Sequence, residues 1–97
     1  MKKSYKLQSK LWIYPGESAN WHFMSVPQKE SVEIKKKVLE KKGFGSVRVT
    51  VTIGKTSWQT SIFPEKRSGT YLLPVKADVR KKEHLLEGDR VAFTLLV

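Results

Sequence analysis

Cysteine is absent from this 97-residue chain. That excludes a disulfide scaffold and a thiolate zinc site, and it makes a reducing cytoplasm the natural compartment. Acidic residues are scarce, nine against nineteen Lys and Arg, for a formal net charge of +10. The basic N-terminus MKKSYKLQSKLW has no apolar run behind it, so a signal peptide is not expected. No later segment approaches the roughly 18 apolar residues of a membrane span, so no membrane partner is expected. Histidine is limited to His22 and His84. Neither has Asp or Glu at ligand spacing, so no metal is expected. No Ser stands beside a base in a triad motif. Gly43-Phe44-Gly45 lacks the further Gly and the Lys-Ser/Thr of a phosphate loop, and it follows a helical pattern rather than opening one. With no acid–base or nucleophile–base pair in view, neither an enzyme nor a cofactor is expected.

What is present is enough for one globular domain spanning residues 1–97. Hydrophobic residues make up 39% and aromatics 10%. A chain of this size buries roughly 60–65% of the surface it exposes when unfolded, which supports a single core.

The chain alternates with a strand's period of two from Ser4 to Tyr14. Tyr5, Leu7, Leu11 and Ile13 share one face; Lys6, Gln8, Lys10, Trp12 and Tyr14 share the other. Pro15-Gly16 is turn chemistry. Trp21 to Val26 is a second short strand. Pro27 opens a helix whose apolar stripe is Val32, Ile34, Val38 and Leu39, with Lys35, Lys36, Lys37, Lys41 and Lys42 outside. Ser25 with Gln28 suits a capping box, and Gly43 suits a C-terminal stop. Ser46 to Ile53 alternates cleanly, Gly54-Lys55 is a two-residue turn, and Thr56 to Phe63 returns as its hairpin partner. After a polar loop come a strand at Thr70 to Leu73, a helical stretch within Pro74 to Leu86 with Val79 inward, a turn at Gly88-Asp89, and a last strand through Val91, Phe93, Leu95 and Val97. Six short strands and two helices predict a mostly β fold closed into a barrel, which removes exposed edges.

The two strand-helix-strand stretches overlay. Met24-Ser25-Val26-Pro27 matches Tyr71-Leu72-Leu73-Pro74, and Val32 matches Val79; after a three-residue gap, Val47, Val49, Val51 and Ile53 match Val91, Phe93, Leu95 and Val97. Two pseudo-symmetric halves in one chain follow from this pattern, and a monomer is expected, with a dimer left open. The stretch GTYLLPVKADVRKKEHLLEGDRVAF resembles the swapped-hairpin half-barrel of AbrB-type transcription factors. That resemblance implies a closed double-split barrel. The segments LWIYPGESANWHF, GFGSVRVTVTIGKTSWQTSIFP, and LLPVKADVRKKE with EGD resemble, in order, the domain-of-unknown-function family numbered nineteen hundred and five. It is a set of small prokaryotic proteins sometimes fused to a bacteriocin-protection-like segment. That resemblance implies a barrel and brings no established activity.

The excess of positive charge attracts anionic polymers or surfaces. Fifteen of the nineteen cations are Lys, a less specific point charge than the bidentate Arg fork, so a merely solvated surface is the competing reading. On the AbrB-type pattern Lys76 and Arg80 fall at the basic helix positions, with Lys81 and Lys82 adjacent, and Lys35, Lys36 and Lys37 make a second patch. Both patches suit phosphates. The overlay puts Glu33 opposite Arg80, so the halves are unequal; Arg80 could instead serve the fold by pairing with Asp78, Glu83 or Asp89. Trp12 shares a strand face with Lys6, Lys10 and Tyr14, an interleaving that could stack bases if exposed; the alternative is that it packs under the first helix, the commoner fate of Trp. Trp58 reads as core, and Trp21 and Phe23 as core or pocket wall. The sequence thus points first to a non-enzymatic binding module for nucleic acid or another anionic partner. A small-molecule or peptide pocket lined by Trp12, Trp21, Phe23 and Trp58 stands as a second reading. A structural or protein-docking domain is a third.

Overall fold

Period-two alternation carries through into six strands. The computed structural model describes residues 3–14, 21–40 and 45–97. The chain runs β1 (Ser4–Tyr14), β2 (Trp21–Ser25), α1 (Gln28–Glu40), β3 (Val47–Ile53), β4 (Thr56–Glu65), β5 (Thr70–Pro74), α2 (Ala77–Lys82) and β6 (Arg90–Leu96). The strands close into a barrel in the order β1-β2-β5-β4-β3-β6, and all six pairings are antiparallel. The fold is mostly β with two helices, as the alternation predicts. The Pro15-Gly16 turn, Lys41, Lys42 and the Gly43 stop lie outside the described residues.

The inward residues of every strand meet in one core. Leu11, Met24, Val26, Ile34, Val51, Ile62, Leu73 and Leu95 are fully buried, each worth about 1.5–3 kcal/mol over an exposed side chain. Two long strands do the turning. β1 pairs with β6 over Ser4–Lys10 and then with β2 over Leu11–Tyr14. β4 pairs with β3 over Thr56–Ile62 and then with β5 over Phe63–Glu65. Between β3 and β4 the chain reverses at Gly54, whose φ of +56° suits glycine. A Cβ there would also collide with the Glu83 carboxylate.

Exchanging β1 with β4, β2 with β5, α1 with α2 and β3 with β6 leaves the barrel order unchanged. The chain is therefore two β-β-α-β halves about a pseudo-twofold axis. Hydrogen bonds fix which residues correspond. The Val26 N–H donates to the Tyr71 carbonyl at 2.8 Å, and the Val75 N–H donates to the His22 carbonyl at 2.9 Å. Ser31 N–H donates to the Pro27 carbonyl, and Arg80 N–H to the Lys76 carbonyl. Val26 thus matches Val75, His22 matches Tyr71, and Ser31 matches Arg80. This is two residues out of step with the sequence overlay, which aligned Pro27 with Pro74 and set Glu33 against Arg80. The prolines are not equivalent. Pro27 precedes a helix; Pro74 ends β5 beyond Leu72, the last β5 residue paired with β4, so its missing N–H leaves no gap there.

The same correspondence corrects the first helix. Ile34 and Val38 face the core as the stripe predicts, whereas Val32 is 50% exposed and the neighbouring Ser31 is buried in its stead. Ser31 is buried because its hydroxyl serves two backbone groups. It donates to the Val26 carbonyl at 3.0 Å and accepts the Tyr71 N–H at 3.0 Å. Ser25, expected as a cap, accepts the Trp12 indole N–H at 3.3 Å. Each helix also ties back to a long strand: Tyr5 of β1 donates to Glu33 at 3.1 Å, and Thr56 of β4 donates to Glu83 at 2.6 Å.

Replacing Ser31 by Ala strands two buried backbone groups. The expected loss is about 2 kcal/mol of unfolding free energy, read by urea denaturation.

Candidate functional site

A strand residue that faces outward next to a fully buried one is placed there by the alternation alone. Leu11, Met24, Leu73 and Ile62 point inward, so Trp12, Phe23, Leu72 and Phe63 point outward on the β1-β2-β5-β4 side of the barrel. Trp12 pairs across strands with Phe23, and Tyr14 with Trp21. The rings touch: Trp12 and Phe23 centroids are 5.4 Å apart, and Tyr14 meets Phe23 edge-on at 6.1 Å. Trp21 is 58% exposed, Tyr14 50% and Phe63 47%. An open depression of about 340 Å³ lies among Tyr14, Trp21, Phe23 and Leu72. A second, of about 390 Å³, has Trp12 and Tyr14 on one side and Arg67 and Ser68 on the other. Lys6, Gln8 and Lys10 continue the outward face of β1, all exposed.

Trp12, Trp21 and Phe23 therefore come together, as surface rather than as core. Trp58 does not join them. It pairs with Val51 and packs against the core, with its indole N–H buried and unpartnered among the described residues. Phe63 and Leu72 belong to the exposed face although sequence reasoning missed them; their place next to Ile62 and Leu73 in alternating strands was the available signal.

At the start of α2 and along it, Lys76, Lys81 and Lys82 are exposed and Arg80 is half-buried; Lys76 is the N-cap residue. The Arg80 guanidinium donates from Nε to the Val75 carbonyl at 3.3 Å, and its Nη1 lies 3.2 Å from His22 Nε2. Its partners are thus a carbonyl and an imidazole rather than Asp78, Glu83 or Asp89. Glu83 is taken by Thr56 at 2.6 Å, and Asp89 accepts the Leu86 N–H at 2.8 Å. One cavity of about 290 Å³ lies between Trp21, His22, Pro74, Lys76 and Arg80. Another, of about 540 Å³, is lined by Ala77, Arg80, Lys81, His84 and Leu86. Trp21 lines both the first of these and the aromatic depression, so the basic cleft and the aromatic face are continuous. Among the described residues no group of three or more His, Asp or Glu is placed to hold a metal ion. Among the described residues no helix is long and apolar enough to cross a membrane.

The model of a domain of unknown function, DUF1905, matches residues 8–95. This chain belongs to the DUF1905 family. No curated protein matches it. The match spans both halves of the barrel, so the DUF1905 unit is the whole closed fold and not one half of it.

The α1 lysines stand apart from the sites above: no residue of α1 lines any of these depressions. Lys35 and Lys36 are exposed, while Lys37 is half-buried with its ammonium 5.9 Å from the Tyr5 ring centre. Lys3 ion-pairs with Glu33 and lies 5.2 Å from the same ring. Hydrogen bonds from Lys3 and then Tyr5 hold the Glu33 carboxyl below its ordinary value. Burial first, and the Glu33 carboxylate second, push the Tyr5 phenol up from 10.0 to about 12.

A raised acid loses its proton later in the folded than in the unfolded chain. The Tyr5 contribution is therefore complete below pH 10 and is lost as pH rises towards 12. Stability measured by denaturation from pH 9 to 12 should fall over that window. The Tyr5→Phe variant should fall less steeply there.

Proposed function

We propose that this DUF1905 barrel is a binding module, not an enzyme, and that it takes single-stranded nucleic acid on its outer aromatic face. One observation carries this reading: Trp12, Tyr14, Trp21, Phe23 and Phe63 form a partly exposed cluster on a chain of net charge +10. Five aromatic rings facing outward leave apolar area in water that a soluble domain has reason to cover. Bases stack on such rings without regard to sequence, and adjacent cations hold the backbone. Lys6 and Lys10 extend along the same strand face, and Arg67 and Lys76 stand at its margins. The α1 lysines, which line none of the depressions described above, serve as general positive field and as solvated surface.

A second reading has an observation of its own. The depression among Tyr14, Trp21, Phe23 and Leu72 has an almost wholly apolar lining, which suits an aromatic or aliphatic side chain of a peptide. The absence of cysteine keeps a reducing, cytoplasmic setting as part of the proposal, and the closed barrel is compatible with a monomer.

The test is a titration of oligothymidylate and of a duplex of equal length, at about 50 and 200 mM salt. Single strands should bind at low salt and quench tryptophan fluorescence. Affinity should fall with salt at a log–log slope near −0.7 per phosphate contacted. Trp21→Ala should weaken binding by roughly tenfold while sparing the fold, since stacking is worth about 1–3 kcal/mol per base. No binding at low salt, or Trp21→Ala binding as well as the parent, contradicts the reading. Quenching by an apolar peptide but not by oligothymidylate supports the second.

A further inference from the structure

The two halves repeat the same hydrogen bonds, so the place where their side chains differ most is informative. In the first half Ser31 fills the position. It is 1% exposed, and its hydroxyl satisfies the Val26 carbonyl and the Tyr71 N–H. In the second half Arg80 fills it and donates to the matching Val75 carbonyl. A serine meets the needs of the fold in one half. The long cation in the other exceeds them.

The charged side chains that line the two cavities beside Arg80 are cations. The two cavities it lines carry Lys76, Lys81, His22 and His84, and no carboxylate. Among the described residues no Asp or Glu forms an ion pair with the guanidinium. A half-buried guanidinium without a counter-ion favours an oxyanion, and its planar fork matches the oxygens of a phosphate. Its Nε and Nη1 are already held by Val75 and His22, so its orientation is set before any ligand arrives.

The backbone at the far cavity points the same way. His84 has φ +54°, the left-handed conformation that a helix end normally gives to glycine. The end is otherwise regular: Leu85 N–H donates to the Arg80 carbonyl at 2.8 Å and His84 N–H to the Lys81 carbonyl at 3.4 Å. An imidazole is thus kept beside Arg80 at a position where glycine would be less strained. On the other side, Trp21 forms the wall shared with the aromatic face.

We propose that the cleft between β2 and α2 binds a phosphate monoester joined to an aromatic base. Arg80 grips the phosphate, Lys76 and Lys81 flank it, and the base stacks on Trp21. A terminal phosphate of a nucleic-acid strand and a free mononucleotide share this chemistry. The stacking of the base rests on the reading of the aromatic face; the phosphate grip does not.

The experiment compares oligothymidylates of one length ending in a 5′-phosphate, a 3′-phosphate or hydroxyls only. Adenosine monophosphate, adenosine and inorganic phosphate serve as competitors. One phosphorylated end should bind about tenfold tighter than the hydroxyl-ended strand, or the mononucleotide should bind where adenosine does not. The first result assigns the strand end and the second the free nucleotide. Arg80→Ser, which copies the residue of the first half and can keep the bond to Val75, should abolish the preference. Lys76→Ala, at an exposed position, should weaken the preference without touching the fold. Equal binding of all three strands, with no effect of the mononucleotide, overturns the cleft and leaves the aromatic-face reading standing. Binding of the mononucleotide without any strand does the reverse. Retention of the preference in Arg80→Ser also overturns it.

Discussion

The hydrogen bonds between β2 and β5, at the pseudo-twofold axis, are the constraint on which the rest depends. Val26 donates to Tyr71 and Val75 donates to His22 across that seam. Neither half can satisfy its own strands: β3 finds both its partners, β4 and β6, in the second half, and β2 needs β5. An unpaired strand edge is costly and prone to aggregate, so the halves are stable only as a closed pair. Closure then dictates which way every side chain points. The register that brings Met24 opposite Leu73 in the core turns Phe23 and Leu72 to the outer face of the barrel, half-buried.

The two halves then diverge in what they add to one backbone plan. The first half uses a serine inside and ties α1 to β1 through Glu33, Tyr5 and Lys3. That cluster absorbs one lysine and holds a tyrosine proton. The second half places Arg80 at the serine's position and keeps open cavities on either side of it. A fold needs only one of these solutions, so the difference is where function is most reasonably sought.

Much of the barrel was legible because alternation is a strong signal. Val47 to Ile53 and Val91 to Leu95 left little choice about which residues face inward. The family was legible too, from three ordered motifs matched across residues 8–95. What misled was punctuation. Pro27 and Pro74 look alike in sequence but occupy different places, one ahead of a helix and one at a strand end, and aligning them shifted the repeat by two residues. Val32 was placed inward by apolar character, whereas the inward position is its neighbour Ser31, where a hydroxyl is needed for the Val26 and Tyr71 backbone groups. Trp21 and Phe23 read in sequence as core or pocket wall, and they wall an open depression rather than fill the core. Only the register with Tyr14 and Trp12 shows them outside. The contacts of Arg80 with Val75 and His22 span strand and helix and leave no trace in spacing.

The central claim is that the aromatic face and the Arg80 cleft form one continuous binding surface while the α1 lysines do not. An amide and indole NMR titration of the intact chain with a 5′-phosphorylated oligothymidylate tests it most directly. The account predicts shifts in the Trp12 and Trp21 indoles, in Phe23 and Leu72, and from Lys76 to Leu86, with Lys35, Lys36, Lys37 and the Trp58 indole unmoved. Shifts confined to α1, or a spectrum unchanged at saturating strand, would contradict it.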